Sequence, residues 1–252
     1  MSSEYIPDMI YPTDNDLEIP CLIPEMQARG CEIPVACFGE TRRSYDMNGT
    51  GLLHFYTDDY RFSSVYDHPE KILKMNPANI IEPNFSLYLE VPMAFAIQGI
   101  YKKRVIARQM QEQGIRVFVD LNVSSKFYKL NMLGVPEGWA AFATRGYSDR
   151  LHYLEFEWMI AKNHAGDNRL TFVVYGGGEK VRQWCKSHGA IYVNPVIDMK
   201  NHLKRAIKRI EGTISLLAPD QDNKKLIEDT TKNIFDNQVE SYLLQIENKS
   251  NN

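Results

Sequence analysis

The feature that most constrains the fold of this chain is an alternation of apolar runs with amphipathic stretches between residues 51 and 197. Strands that read as nearly continuous apolar runs are covered on both faces, which is typical of a parallel sheet flanked by helices. The pattern predicts an α/β domain of about six βα units. Its architecture is either an incomplete or irregular TIM-like barrel or, alternatively, a doubly wound parallel sheet. The predicted strands span 51–57, 78–86, 115–123, 139–145, 170–176 and 190–196.

The segments on either side of this α/β region have a different composition and hydropathy pattern. Residues 1–50 contain five prolines and three glycines, which predicts an irregular N-terminal segment that wraps the domain. Residues 198–252 carry two helical apolar stripes and a polar tail, which predicts a C-terminal helical hairpin. The hairpin helices, within 198–247, are expected to dock on the core or on another molecule, so a homo-oligomer or a protein partner is predicted there.

Charge and hydropathy exclude several classes of protein. The 252 residues include 29 Lys and Arg against 32 Asp and Glu, so no global positive field draws the molecule to nucleic acid or to anionic lipid. The apolar runs are too short to span a membrane, and the first residues are polar and acidic, which predicts a cytoplasmic protein with no membrane partner. The four cysteines form no CxxC pair, so the strongest zinc and redox signatures are absent from the sequence.

Five segments follow one another along the α/β region: HFYTDDYRF, PNFSLY, a strand ending in DLN, GVPEGWAAFATRGY and VVYGGG. In their order and spacing the chain resembles an uncharacterised domain-of-unknown-function family that is common in bacteriophages, plasmids and their bacterial hosts. The resemblance covers about residues 35–196 and does not include the C-terminal hairpin. The chain departs from the family pattern at Asn84, where the family usually has an aspartate, and at the DLNVSS segment. The resemblance implies a cytosolic protein of a mobile element and brings no established activity.

Two aspartates are the predicted catalytic residues. Functional groups in parallel βα folds gather at the carboxyl ends of the strands, and Asp59 and Asp120 both occupy such positions. Two carboxylates on neighbouring loops could hold Mg²⁺ through hard oxygen ligands, or they could divide general acid and general base roles. Asp59 and Asp120 are therefore also the predicted metal ligands. A helix-capping or turn role is an equally good interpretation of Asp59.

The segment VVYGGGEKVRQW is the sharpest single motif. Three glycines between a strand and a helix leave backbone N–H groups open to a phosphate at the positive helix end, although the segment is neither a Walker loop nor a GxGxxG motif. Arg145, one strand away, would add a bidentate phosphate contact. The alternative is a turn that needs positive φ. The predicted substrate-binding residues are Asn84, Asn122, Arg145, Tyr175, Gly176, Gly177 and Gly178.

A basic helix is predicted over 198–211, with five Lys or Arg against two acids. Its cations could follow a nucleic-acid backbone, or they could form a solvated face opposite a packing seam. The sequence thus predicts a phage- or plasmid-type protein that acts on or binds a phosphate-bearing substrate, a nucleotide or nucleic acid, with Mg²⁺ as a candidate cofactor. The alternative is a non-catalytic interaction or DNA-binding protein that uses the C-terminal helices, and the sequence does not decide whether the protein is an enzyme. The predicted nucleic-acid contacts are Lys204, Arg205, Lys208 and Arg209.

Overall fold

The computed structural model describes residues 11–39 and 46–195, which form an α/β fold. Its strands are β1 (Val35–Cys37), β2 (Thr50–His54), β3 (Pro77–Ile81), β4 (Arg116–Asp120), β5 (Ala141–Arg145), β6 (Thr171–Tyr175) and β7 (Ile191–Val193). Its helices are α1 (Asp59–Phe62), α2 (Glu70–Leu73), α3 (Met93–Glu112), α4 (Tyr128–Asn131), α5 (Leu151–Ala165) and α6 (Gly178–His188).

The seven strands form one parallel sheet in which neighbours along the chain are also neighbours in space, in the order β1 to β7. This arrangement confirms the predicted α/β class and parallel pairing, and each of the six predicted strands overlaps an observed one. The seventh, β1, was not predicted. Its three residues directly follow Pro34 inside the proline-rich first 50 residues, so the stretch is too short to stand out as an apolar run.

The sheet is strongly curled. The strands β2 and β6 are four positions apart, which in a flat sheet would separate them by about 19 Å. The ring of His54, the last residue of β2, nevertheless lies with its centroid 4.1 Å from that of Tyr175, the last residue of β6. The carboxyl ends of the strands therefore face one another around a common interior.

The sequence predicts a long helix with Pro92 in its first turn, a stop at Gly114 and an apolar stripe of Phe95, Ile97, Ile100, Val105 and Met110. Helix α3 begins directly after Pro92 and is followed by Gly114, which has φ of +83°. One part of its predicted buried face is wrong, because Phe95 is exposed. The buried stripe starts at Ala96, one residue or about 100° further around the helix. That stripe continues through Ile100, Lys103, Ala107 and Met110.

The N-terminal segment contributes to the sheet at the amino ends of β4 and β5. Gln27 forms a parallel bridge to Val117, and its side-chain Oε1 accepts a hydrogen bond from the backbone N–H of Ala140 at 2.8 Å. The strands β4 and β5 pair with each other closer to their carboxyl ends. Gln27 thus bridges the two strands where their own pairing is missing.

One predicted element of the fold remains outside these observations. The C-terminal hairpin at 198–252 lies beyond the described residues, so it stays a prediction. In the ranges that the structure describes, no helix has both the length and the apolar character needed to cross a lipid bilayer.

Candidate functional site

Asp120 ends β4 and is fully buried. Its Oδ1 accepts hydrogen bonds from the Tyr56 hydroxyl at 3.0 Å and from the Asn122 backbone N–H at 3.2 Å. Tyr56 follows β2, two strands away in the sheet, so this contact depends on the curl. The carboxylate is therefore held between two strand ends.

Two asparagine side chains cover the second oxygen of Asp120. With its amide oriented so that every atom meets a complementary partner, Asn84 donates through Nδ2 to Asp120 Oδ2 and to the Asn122 backbone carbonyl, both at 3.1 Å. Asn122 Nδ2 donates in turn to Asn84 Oδ1 at 3.1 Å. Both asparagines are half-buried, whereas the carboxylate that Asn84 contacts is fully buried.

Behind Asp120 lies a buried network of four charged side chains: Glu82, Lys103, Arg104 and Asp120. Lys103 Nζ donates to the Asp120 backbone carbonyl at 3.0 Å and lies 3.7 Å from a carboxylate oxygen of both Glu82 and Asp120. Arg104 donates to Glu82 Oε1 and to the backbone carbonyl of Asn131. Two carboxylates and two cations compensate one another, which is the condition under which buried charges are tolerated.

The Asp120 carboxyl titrates in an unusual range for an aspartate. Burial raises the pKa of Asp120 to about 6, and this rise is opposed by the Lys103 ammonium and by hydrogen bonds from Asn122 and Tyr56. Burial lowers the pKa of Lys103. A carboxyl group with a pKa near 6 can exchange a proton close to neutral pH, as a general acid or base must.

Three rings line the interior beside Asp120: His54, Tyr56 and Tyr175. Tyr56 and Tyr175 stack with their centroids 5.6 Å apart. His54 Nδ1 accepts the Tyr56 backbone N–H at 3.2 Å, which places the proton of the neutral imidazole on Nε2. Burial, assisted by the charge of Arg145, lowers the pKa of His54 to about 3, so the imidazole is uncharged at physiological pH.

Arg145 stands next to the wall, in register with Tyr175 on the neighbouring strand. Its side chain is exposed, and it forms no salt bridge with any residue of 11–39 or 46–195. The guanidinium lies 5.5 Å from the ring centroid of Tyr147, and that of Arg150 lies at the same distance from this ring. Arg150 differs because it pairs with Asp149 at 3.5 Å.

The glycine turn, Gly176–Gly178, joins β6 to α6. All three glycines have positive φ, at +76°, +91° and +77°. A Cβ on Gly177 would lie 2.5 Å from Val181 Cγ2 and 2.7 Å from the carbonyl carbon of Gly146. The turn therefore needs glycine for its conformation and, at Gly177, for close packing. Within the described residues no side chain caps the first turn of α6, which leaves N–H groups there for another acceptor.

Asp59 connects two loops. Its Oδ2 accepts the Ser86 backbone N–H at 3.0 Å, and its Oδ1 accepts the Ser86 hydroxyl at 2.8 Å. Ser86 lies two residues after Asn84, so Asp59 fixes the loop that carries Asn84 to the loop after β2. These contacts support the interpretation of Asp59 as a residue that holds a turn.

A family model for a domain of unknown function, DUF4417, matches residues 11–159, which is more than half of the chain. The chain belongs to the DUF4417 family. The match confirms the resemblance to a domain-of-unknown-function family, although it starts earlier than expected and ends before β6. Asp59, Asn84, Asp120 and Arg145 of the DUF4417 protein lie inside the matched range, whereas the glycine turn lies outside it.

The DUF4417 protein is also similar to two phage proteins, each called Gene 1 protein. It is 35% identical over 134 residues to that of Mycobacterium phage D29, a match that covers 52% of this chain and 48% of the relative. It is 34% identical over 77 residues to that of Mycobacterium phage L5, a match that covers 30% of this chain and 34% of the relative. The matched region is thus at most about half of either relative. No solved structure matches the chain.

The predicted substrate-binding residues of this DUF4417 protein and Asp120 lie at the carboxyl ends of the strands in two groups, whereas Asp59 joins neither group and contacts Ser86. Asn84, Asp120 and Asn122 form the first, and Arg145, Tyr175 and the glycine turn form the second. Tyr56 joins the groups, because its hydroxyl bonds to Asp120 and its ring stacks on Tyr175. The strand-end site, as we define it, comprises His54, Tyr56, Asn84, Asp120, Asn122, Arg145, Tyr175 and the glycine turn.

The metal prediction for Asp59 and Asp120 finds little support in their surroundings. Each of the four carboxylate oxygens already accepts a hydrogen bond from the protein, and the Lys103 ammonium lies 3.7 Å from Asp120 Oδ2. Across the described part of the chain, no three His, Cys, Asp or Glu side chains are grouped to hold a metal ion. The function proposed below is built on the protein's own groups, and the Mg²⁺ site at Asp59 and Asp120 stays a prediction.

Sequence reasoning missed the buried charges. Lys103 and Arg104 follow Ile100 by three and four residues, so they lie on the same buried side of α3, and Glu82 directly follows β3. Two cations on the apolar side of a predicted helix were the sequence signal that could have indicated a buried charge network. Tyr56 was missed as well, because its partner Asp120 is 64 residues away in the sequence.

The remaining predicted contacts cannot be located. The predicted nucleic-acid contacts on the basic helix lie outside the described residues and stay predictions, as do the homo-oligomer and the protein partner expected through 198–247. These contacts are Lys204, Arg205, Lys208 and Arg209.

Proposed function

We propose that this DUF4417 protein binds a phosphate-bearing ligand, a nucleotide or a nucleic acid, at the strand-end site as part of a phage-associated process. The observation that carries the proposal is the adjacency of Arg145, Tyr175 and the glycine turn on neighbouring strand ends. A guanidinium, an aromatic ring and a helix N-terminus supply what a nucleotide needs, namely phosphate contacts and a stacking surface.

The phosphate would lie between Arg145 and the start of α6. The helix offers backbone N–H groups and the positive end of its dipole, and Arg145 offers a planar fork of donors. Its guanidinium has no carboxylate partner among the described residues, so binding a phosphate does not require breaking an ion pair.

Asp120 gives the same site a group capable of proton transfer. It lies beneath the amides of Asn84 and Asn122 and beside the Tyr56 hydroxyl, and its pKa of about 6 suits an acid–base role near neutral pH. Turnover is therefore tested together with binding.

We further propose that the curled sheet is an incomplete TIM-like barrel. The consecutive strand order and the contact between the ends of β2 and β6 support this assignment. In that architecture the carboxyl ends of the strands are where ligands bind, as proposed here.

The test uses the purified full chain with nucleoside mono-, di- and triphosphates and with single- and double-stranded DNA and RNA, each with and without Mg²⁺. Binding is measured by thermal shift and calorimetry, and turnover by chromatography of the products. We expect at least one of these ligands to bind, and we expect Arg145→Ala to weaken that binding by about tenfold or more, as loss of a charged hydrogen bond does.

The matched control is Arg150→Ala, which removes the other guanidinium at the Tyr147 ring and should change affinity less than twofold. A protein that binds none of these ligands would overturn the proposal. Equal losses of affinity in the two variants would show that Arg145 does not contact the phosphate directly.

A further inference from the structure

Three aromatic side chains near the strand-end site are more than half exposed. They are Tyr60 (73%) after β2, Tyr88 (66%) after β3 and Phe95 (59%) in the first turn of α3. Exposed apolar groups that are close together can mark a contact surface. We call this surface the aromatic patch, and its members, with the exposed neighbours included, are Tyr60, Tyr88, Leu89, Met93 and Phe95.

The patch is connected to the strand-end site by hydrogen bonds. The Tyr88 hydroxyl donates to Ser86 Oγ at 3.2 Å, and Ser86 binds both oxygens of Asp59, the residue before Tyr60. Ser86 is in turn two residues from Asn84. The two tyrosines and the site therefore share one fixed pair of loops.

Phe95 belongs to the same surface because of the way α3 packs. Four residues further along, a Cβ on Gly99 would lie 3.2 Å from Leu87 and 3.6 Å from Phe85, so this helix face lies against the loop after β3. Residues four apart share a helix face, so Phe95 lies on the same side of α3 as Gly99, which is the side of the loop that carries Tyr88.

Cations accompany the exposed rings. The Arg61 guanidinium lies 5.4 Å from the ring centroid of Tyr60. Lys126 Nζ donates to the backbone carbonyls of Leu89 and Val91, at 3.1 Å each, beside Tyr88. Aromatic faces with interspersed cations are what proteins present to the bases and phosphates of a single strand.

We infer that the aromatic patch binds a single-stranded nucleic acid, whose bases stack on Tyr60, Tyr88 and Phe95 while another nucleotide of the same strand occupies the strand-end site. This inference rests on the proposed function and names its ligand. Only unpaired bases offer free faces to protein rings, so a duplex is excluded as the preferred ligand. Because every base has such a face, little sequence preference is expected.

The charges around the patch predict a shallow salt dependence. Arg61 also pairs with Asp58 at 3.6 Å, so Lys126 and Arg145 are the cations best placed for phosphates. Each phosphate contact on a single strand contributes about −0.7 to the slope of log K against log salt, so we expect a slope of roughly −0.7 to −1.4.

The experiment measures fluorescence anisotropy of labelled oligothymidylates and oligouridylates of about 4, 8 and 16 nucleotides, with competition by the mononucleotides. The longer strands should bind more tightly than the mononucleotide. Tyr60→Leu combined with Tyr88→Leu should weaken binding of the longest strand at least tenfold, because the apolar area is kept but the stacking surface is lost. Mononucleotide binding should stay within twofold.

Two control variants separate stacking from structural effects. Tyr88→Phe removes the hydroxyl bond to Ser86 but keeps the ring, so it should bind the strand like the wild type. Tyr153→Ala removes an exposed tyrosine of α5 and should leave binding unchanged. Circular dichroism of each variant confirms that the fold is retained.

The outcomes distinguish this inference from the proposed function. If mononucleotides bind through Arg145 but long strands bind no more tightly, the inference is overturned and the proposed function stands. If no nucleotide and no strand binds, both are overturned. If the double variant keeps its affinity for strands but dissociates an oligomer in light scattering, the patch is a protein interface and the inference is wrong.

Discussion

Around Asp120 the charged groups are buried and paired, whereas around Arg145 the charge faces solvent without a carboxylate partner in the described structure. The two halves of one site thus use opposite electrostatics. In the first half, the hydrogen bonds and ion pairs are made within the protein, among them those of Glu82, Lys103 and Arg104. In the second half, the Arg145 guanidinium can donate its hydrogen bonds to a ligand.

The difference separates positioning from binding. A buried, compensated network holds Asp120 in one place because any movement would leave a charge unpaired in a low-dielectric interior. An exposed guanidinium contributes little to folding and is free to reorganise around a ligand. We therefore expect loss of a charge in the first half to act on stability, and loss of the Arg145 charge in the second half to act on binding.

The largest expected effect is that of Arg104→Met. It leaves the Glu82 carboxylate without its closest cation, and breaking a buried ion pair in this way typically costs about 3–5 kcal/mol. Urea unfolding followed by circular dichroism measures the loss. The double variant Arg104→Met with Glu82→Leu should recover part of the stability because neither of these two charges remains. A single-variant loss below about 1 kcal/mol would contradict the description of this half as a tightly coupled network.

Gly177→Ala should come next, with a loss of about 3–4 kcal/mol. Left-handed backbone costs an alanine about 1–2 kcal/mol, and overpacking against Val181 and Gly146 adds about 2 kcal/mol. Gly178→Ala is the matched control, since its φ is also positive but its Cβ would meet no atom within 4 Å. Similar losses at both positions would show that backbone strain alone, and not packing, decides the cost.

The pH dependence tests Asp120. Its pKa is raised from 3.8 to about 6, so the folded state binds the proton more tightly than the unfolded chain does. The resulting stabilisation is complete below about pH 4 and is lost as pH rises through 6, by at most about 3 kcal/mol. Measured from pH 4 to 7, the free energy of unfolding of the wild type should fall relative to that of Asp120→Asn.

A second buried carboxyl provides the control for that titration. Burial also raises the pKa of Glu157, which accepts a hydrogen bond from Thr144. The charge of Asp120 contributes to this rise, so the two carboxyls are coupled, and Glu157→Gln should change the size of the difference between the wild type and Asp120→Asn without removing it. A wild type and an Asp120→Asn variant with parallel pH profiles would show that Asp120 keeps an ordinary pKa.

The smallest expected effect on stability is that of Arg145→Ala, at about 0.5 kcal/mol or less, because its guanidinium is exposed and has a single ring contact. The same variant should show the loss of nucleotide affinity described above. A large loss of stability would contradict the separation of the two halves.

Much of the fold could be predicted because its signals are local. The apolar runs marked six strands, and Pro92 and Gly114 marked the ends of α3. β1 has only three residues and gave no comparable signal. The error at Phe95 has a different cause. A stripe of apolar residues predicts the buried face of a helix only to within about one residue, and Phe95 lies one residue outside the buried face.

The sequence could predict those parts of the site that lie on strands next to each other in the chain. Arg145 and the glycine turn adjoin because β5 and β6 are consecutive and paired. The bond from Tyr56 to Asp120 and the contact of His54 with Tyr175 skip one or more strands, so they depend on how far the sheet curls. Curvature arises from the packing of the whole domain, and no short stretch of sequence records it.

The bridge that Gln27 makes between β4 and β5 also sets an order of events during synthesis. Gln27 is synthesised before either strand, and its partner Ala140 lies 113 residues later in the chain. At about 5–20 residues per second, the segment waits roughly 6–23 seconds until Ala140 is made. The segment around Gln27 is therefore made well before the strands that it bridges, and it can find its place only once β5 exists.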